Sequence, residues 1–199
     1  MKKMIDVRKL IIDYILPVLS KAENFEFVGA FTPNKEKRIR ICNEYRIKVF
    51  DSIKDLAKEC DAAFVHTSTE SHYDVVKELL ELGLHVYVDK PLASTVKQGE
   101  ELIELSKIKN LKLMVGFNRR FSPMYKKIKD ESGEIISINI CKHASNSIRD
   151  VDFSETLIDD YIHHFIDCVE NDLKPLTSGK EALKAQRLLE NIINFYKKQ

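Results

Sequence analysis

The sequence predicts an α/β chain built on a parallel sheet, and three observations point to it. Between residues 25 and 142, short β-rich runs alternate with longer helical ones, the pattern of strands joined by crossover helices. The apolar runs at residues 62–66 and 84–88 are continuous and too short for helices, as expected of strands buried on both faces. Hydrophobic residues make up 44% and charged residues 32% of the 199, a globular mixture long enough to form a core without disulfides or a structural metal.

Residues 25–31 read as the first clear strand. Residues 34–45 are highly charged, with Ile39 and Ile41 interspersed, and read as a helix with one solvated side. Asp51 looks like the cap of a short helix carrying Ile53, Leu56 and Ala57. The buried strand at 62–66 runs into the turn-prone cluster Thr67-Ser68-Thr69. A helix over 70–82 follows, with Val75, Val76, Leu79, Leu80 and Leu82 on its apolar face and Gly83 where a helix stops. After the strand at 84–88, Pro91 starts a loop. Thr95 and Gln98 have capping-box spacing and open a helix to about residue 108, and 111–116 is another buried strand. A helix broken near Pro123 is expected up to Asp130, then a half-buried strand over 134–142. Two helices close the chain, at 157–170 and 178–196. The second opens on Ser178 and Glu181 in capping-box spacing, and the loop between them carries Pro175. There is no internal repeat.

The formal net charge is +1, so bulk charge recruits neither nucleic acid nor an anionic membrane. No apolar run approaches the roughly 18 residues of a membrane-spanning helix, and the opening does not read as a signal peptide, so the cytoplasm is the expected location. Cys42, Cys60, Cys141 and Cys168 stand singly with no C-x-x-C pair, which reads as reduced, mostly buried thiols.

In an open parallel sheet, ligands bind beyond the carboxyl ends of the strands. Two such ends carry informative residues. One is His66-Thr67-Ser68-Thr69-Glu70-Ser71-His72, a hydroxyl-rich turn entering a helix whose N-terminal N–H groups suit an anion or a ribose, although a plain helix cap is the commoner use. The other is Asp89-Lys90-Pro91, which puts an ammonium at the sheet edge. A third constellation, Asp159-Asp160-Tyr161-Ile162-His163-His164, sets Asp159 one helical turn from His163 and Asp160 one turn from His164. A carboxylate that steadies an imidazole leaves the far nitrogen free to exchange a proton with a hydroxyl. A metal site with Asp167 as third ligand is disfavoured, because adjacent histidines diverge by about 100° on a helix, so no metal is expected. A solvated, charge-paired helix face is the competing reading. Phosphate-loop, zinc-protease and serine-hydrolase motifs are missing from the sequence.

With strand, hydroxyl turn and Asp89-Lys90-Pro91 in this order, the chain resembles the Gfo/Idh/MocA family (glucose-fructose oxidoreductase, inositol dehydrogenase, rhizopine catabolism), nearest to its virulence-factor-like bacterial subgroup. Asp89-Lys90-Pro91 matches the family's Asp/Glu-Lys-Pro motif. Residues 115–121 match the segment that ends its cofactor domain. The resemblance implies a Rossmann-like parallel sheet over residues 1–118 and, over 119–199, a truncated remnant of an α+β substrate and dimerisation domain. It also implies an NAD(P)-dependent transfer of hydride between nicotinamide and a sugar- or polyol-type hydroxyl carbon. Lys90, His163 and Asp159 would be catalytic. Thr32, Asn34, Thr67, Ser68, Thr69, His72, Asp89, Lys90, Pro91 and Arg119 would meet the cofactor. The expected partner is a small sugar or polyol, and a homo-oligomer is left open.

Two features depart from the family pattern. Members begin with a strand and a glycine-rich loop whose glycines let the backbone approach a pyrophosphate. Here no glycine precedes Gly29, residues 1–14 read as charged and β-poor, and Leu16 to Leu19 looks like the end of a first helix. Near His163-His164, the family's large antiparallel sheet looks mostly missing. The expectations are a sheet lacking its glycine-rich first turn, weak or absent binding of NAD or NADP, and impaired activity. The alternative is an inactive family remnant acting as an interaction or partial binding module. Thr32-Pro33-Asn34 follows the strand at 25–31 where an acidic residue would favour NAD. Lys35, Lys37 and Arg38 lean towards NADP, and a solvated helix face explains them better.

Overall fold

The computed structural model describes residues 3–5, 19, 25–121 and 155–196. The described strands are β1 (Lys3–Ile5), β2 (Glu26–Ala30), β3 (Lys48–Val49), β4 (Ala62–Val65), β5 (His85–Val88) and β6 (Leu113–Val115). The described helices are α1 (Lys35–Glu44), α2 (Ile53–Ala57), α3 (Thr69–Glu81), α4 (Val96–Ile108), α5 (Glu155–Glu170) and α6 (Gly179–Tyr196), with a 3-10 turn at Asn118–Phe121. All strand pairs are parallel, in two ladders ordered β1-β2-β3 and β4-β5-β6. Because β1 also lies against β4, the strands follow the spatial order 3-2-1-4-5-6, with its reversal between β1 and β4.

β1 corrects the expectation that residues 1–14 hold no strand: a strand lies at Lys3–Ile5, at the centre of the order. Its apolar signal is only Met4-Ile5 between Lys3 and Asp6, too short to show a period or a run. The two-residue β3 is equally silent in sequence. The helix expected up to Asp130, the strand over 134–142, Cys141 and most of the first helix lie outside the described residues. Leu19 is helical and buried, as read.

The strands alternate across two cores. Ala63, Val65, Val86 and Val88 face Leu79 and Leu80 of α3, Leu102 of α4 and Leu183 of α6. Ala62, Phe64, Tyr87 and Met114 face Ile41 of α1 and Tyr161 and Phe165 of α5. Both cores are therefore set by the period-2 alternation of β4 and β5. The starts and stops are local. Gly83 takes φ +89 just past α3, a conformation that side chains with a Cβ resist. Both bonds of the Thr95–Gln98 capping box are made. Two caps differ from expectation. Ser52, not Asp51, caps α2 by accepting from Asp55 N, because Asp51 is drawn to Arg38. Ser178 Oγ is buried without a hydrogen-bond partner among the described residues, and Glu181 pairs with Lys184 instead. No helix among the described residues is long and apolar enough to cross a membrane.

Candidate functional site

Val65 of β4 and Val88 of β5 are register partners, so the next residues, His66 and Asp89, leave the sheet side by side. Asp89 N donates to Val65 O at 3.0 Å, which carries the pairing one step beyond the strands. His66 is 2% exposed and its Nδ1 meets Asp89 Oδ2 at 2.8 Å. The ring is packed against Phe64 (centroids 6.2 Å apart) and Tyr87 (5.7 Å). Lys90 follows, exposed, and joins Pro91 through a cis peptide.

His72 on the first turns of α3 is 1% exposed and reaches two loops at once. Its Nδ1 lies 2.7 Å from Pro91 O and its Nε2 lies 3.1 Å from Thr67 O. Carbonyl oxygens only accept, so both are hydrogen bonds together when both ring nitrogens carry protons. The ring thus meets the backbone of the hydroxyl turn and of the lysine turn. Asp89 is likewise half committed, its Oδ2 being taken by His66.

Thr32, Thr67 and Ser68 are brought together in one cleft of about 320 Å³, walled by Phe31, Pro33 and Val75. It is lined by the residues that follow β2, by β4 and the turn that ends it, and by α2 and α3, near the carboxyl ends of strands where such sheets hold ligands. Ser68 stands at the N-cap of α3, but its Oγ pairs with Ser71 Oγ at 3.0 Å and caps no backbone N–H of the helix. Thr69 begins α3, and its carbonyl accepts from Ser94 Oγ. Asn34 is occupied as the cap of α1, accepting from Lys37 N at 2.9 Å. Arg38 does not lie on a solvated face: it is 7% exposed, donates to Thr32 O and Asp51, and stacks on Phe31. Arg119 sits in the 3-10 turn, and its side chain lies outside the described residues.

α5 meets the sheet through aromatics. Tyr161 stacks on Tyr87 (5.4 Å, 12°), and Phe165 packs edge-on to Phe64 and Tyr87. His163 is two positions past Tyr161, about 200° further round the helix, and is half-buried on its flank. Asp159 lies in α5, with its side chain outside the described residues. His164 is structural, its Nε2 accepting from Leu176 N at 2.9 Å and standing 3.5 Å from Cys168 Sγ. Burial pushes the Cys168 thiol up to about 11, so it is not a nucleophile near neutral pH.

His66 was read as the polar end of an apolar run and the first residue of the hydroxyl turn, and what the sequence did not give is its pairing with Asp89. Its signal was positional, because it stands one step past a strand end, as Asp89 does on the neighbouring strand.

Residues 11–117 match the model of the Gfo/Idh/MocA oxidoreductase family with its NAD-binding Rossmann fold, and residues 123–193 match the YceM-like C-terminal domain. This chain belongs to the Gfo/Idh/MocA family. It is similar to a Salmonella typhimurium protein named as the oxidoreductase YceM, 48% identical over 148 residues, 74% of this chain and 48% of that protein. It is also similar to the UDP-N-acetylglucosamine 3-dehydrogenase of Acidithiobacillus ferrooxidans, 28% identical over 49% of this chain and 31% of that one. Among solved structures, the crystal structure of a dehydrogenase (MviM) from Clostridium difficile superposes with a TM-score of 0.84 at 43% identity, covering 97% of this chain and 99% of that chain. The chain spans about half the length, or less, of these curated relatives. The family is one of NAD-binding oxidoreductases, and the Rossmann-like parallel sheet expected from the sequence is the fold observed.

Proposed function

We propose that the chain descends from, and retains the reaction end of, an NAD(P)-dependent oxidoreductase acting at a sugar- or polyol-type hydroxyl carbon. The observation that carries this is Lys90 at the carboxyl end of β5, in a turn tied through His72 to the hydroxyl turn that ends β4. Residues 1–118 would form the cofactor domain and 119–199 a shortened C-terminal one. The 28% relative, named as acting on a sugar nucleotide, supports a sugar-type substrate.

The described residues fit a nucleotide in part. The cleft is of the size ligand pockets take, about 300 Å³ or more. Thr32, Thr67 and Ser68 offer hydroxyls within it, and Asp89, Pro91, Thr69, Asn34 and Arg119 would act around its rim. Bound there, a nicotinamide takes up or gives the hydride. Lys90 would orient and polarise the reacting hydroxyl, while His163, steadied by Asp159, would take its proton.

The glycine-free stretch between β1 and Gly29 favours weak binding. A pyrophosphate needs close backbone N–H groups that only glycine lets it approach. Calorimetric titration with NAD and NADP is expected to give a dissociation constant of about a millimolar or weaker. A low-micromolar value for either would overturn the impairment. No heat with either, together with no turnover, would leave a binding or interaction module. In a preparation that turns over, Lys90→Ala cuts kcat far more than it weakens cofactor binding. A loss in His163→Ala, absent in His164→Ala, assigns the base.

A further inference from the structure

We propose that His66 and His72 are positioning residues that clamp the Lys90 turn from both sides and keep its ammonium available to a substrate hydroxyl. The inference rests on the reading of Lys90 as the polarising group. Asp89 precedes Lys90 directly and carries the nearest carboxylate in sequence, able to quench the ammonium if free to turn. His66 prevents this. Its ring is 2% exposed, packs beside Phe64 and Tyr87, and donates through Nδ1 to Asp89 Oδ2 at 2.8 Å. The backbone of Asp89 is fixed as well, by its N–H on Val65 O. On the far side of Lys90, His72 Nδ1 faces the Pro91 carbonyl at 2.7 Å and its Nε2 faces Thr67 O at 3.1 Å, so the ring holds both turns when both nitrogens carry protons. Lys90 is thus the exposed residue between two immobilised neighbours. The ring that fixes one neighbour also fixes the turn bordering the nucleotide cleft. Neither histidine needs to touch substrate; each acts through the position of Lys90.

Site-resolved acylation tests this. The chain is treated with limiting acetic anhydride, and labelling of Lys90 is measured by mass spectrometry against exposed Lys97 of α4. In His66→Leu the freed Asp89 carboxylate pairs with Lys90, and the Lys90-to-Lys97 ratio falls about threefold, the effect of an exposed ion pair of ordinary strength. His66→Asn, whose amide nitrogen can stand where Nδ1 stood, restores the ratio. An unchanged ratio in His66→Leu, or no rescue in His66→Asn, overturns the clamp. If His66→Leu does not fold, proton NMR of the parent chain decides: side-chain N–H signals of His66 and His72 protected from water exchange support the clamp, and their absence overturns it. Where the parent turns over, His66→Leu lowers kcat with the cofactor KM unchanged. A parent with neither turnover nor cofactor heat removes the oxidoreductase reading and leaves the labelling ratio to judge the clamp.

Discussion

The β4-β5-β6 half of the sheet is built more firmly than the β1-β2-β3 half. β4 and β5 pair over four residues in unbroken register, nearly all of them buried, between helices on both faces. In the other half the β1–β2 register shifts between Met4 and Ile5, β3 has two residues, and both are exposed. The candidate site is divided along the same line. The hydroxyl turn, Asp89 and Lys90 stand on the firm half, whereas Thr32, which lines the cleft, follows β2 on the thin one.

Substitution in the firm half should cost most. Phe165 is fully buried and packs against Phe64 and Tyr87, so Phe165→Ala removes the aromatic that seats α5 on the sheet. The expected loss is about 3–5 kcal/mol by urea unfolding. A loss below about 1 kcal/mol, the size expected of a surface site, would show that α5 is not integral to this half.

Glycines give the next test. A Cβ on Gly116 would collide with Tyr87 Oη and stand 3.3 Å from Asp89 Oδ1, and Tyr87 is pinned beneath Tyr161. Gly116→Ala should cost about 1–3 kcal/mol and disturb the Lys90 turn. A Cβ on Gly29 would collide with the backbone carbonyl of Lys48 and with the buried ring of Phe50. Gly29→Ala should therefore cost at least as much as Gly116→Ala, whose nearest clash is with a side-chain end, and a clearly smaller loss at Gly29 would show that the β3 edge yields where the other half does not.

The same division governed what could be read from sequence. β4, α3, β5 and α4 announce themselves because continuous burial writes apolar runs, and Gly83, Thr95 and Gln98 mark their ends. β1 and β3 are too short to carry a period, and their place is set by pairing with β2. At the site, Lys90 and the hydroxyl turn were visible as polar residues ending apolar runs. The pairing of His66 with Asp89 was hidden because burial made His66 read as part of its run. The Asp159–His163 spacing was legible, but which face α5 turns to the strands depends on Tyr161 and Phe165 packing, which spacing alone does not give. Arg38 shows the converse error: in so charged a helix, one guanidinium folded back onto Phe31 leaves no periodic trace.

Capping should separate the halves less. Thr95 makes both bonds of the capping box on α4, and Thr95→Ala should cost about 1 kcal/mol in thermal or urea unfolding. No measurable change would mean that the first turn of α4 frays without consequence.

The smallest effect is expected at the Arg38–Asp51 pair, and it bears on whether the thin half is held by charge. The guanidinium is 8% exposed while the carboxylate is 85% exposed, at 2.7 Å. Asp51→Asn removes the charge but keeps an oxygen that can still accept from Arg38 Nη2. Arg38 also retains Thr32 O and the face of Phe31, so it is not left stripped of partners. Because water reaches the carboxylate freely, the pair should behave as a surface pair, worth about 1 kcal/mol or less. Salt then supplies the sign test. At about 1 M salt the Debye length shrinks to roughly 3 Å, so the difference between parent and Asp51→Asn should shrink with it. A difference above about 2 kcal/mol that resists salt would mean that Arg38 is a buried charge dependent on Asp51. The edge between β2 and α1 would then be a built electrostatic element, and the contrast between the two halves would have to be redrawn.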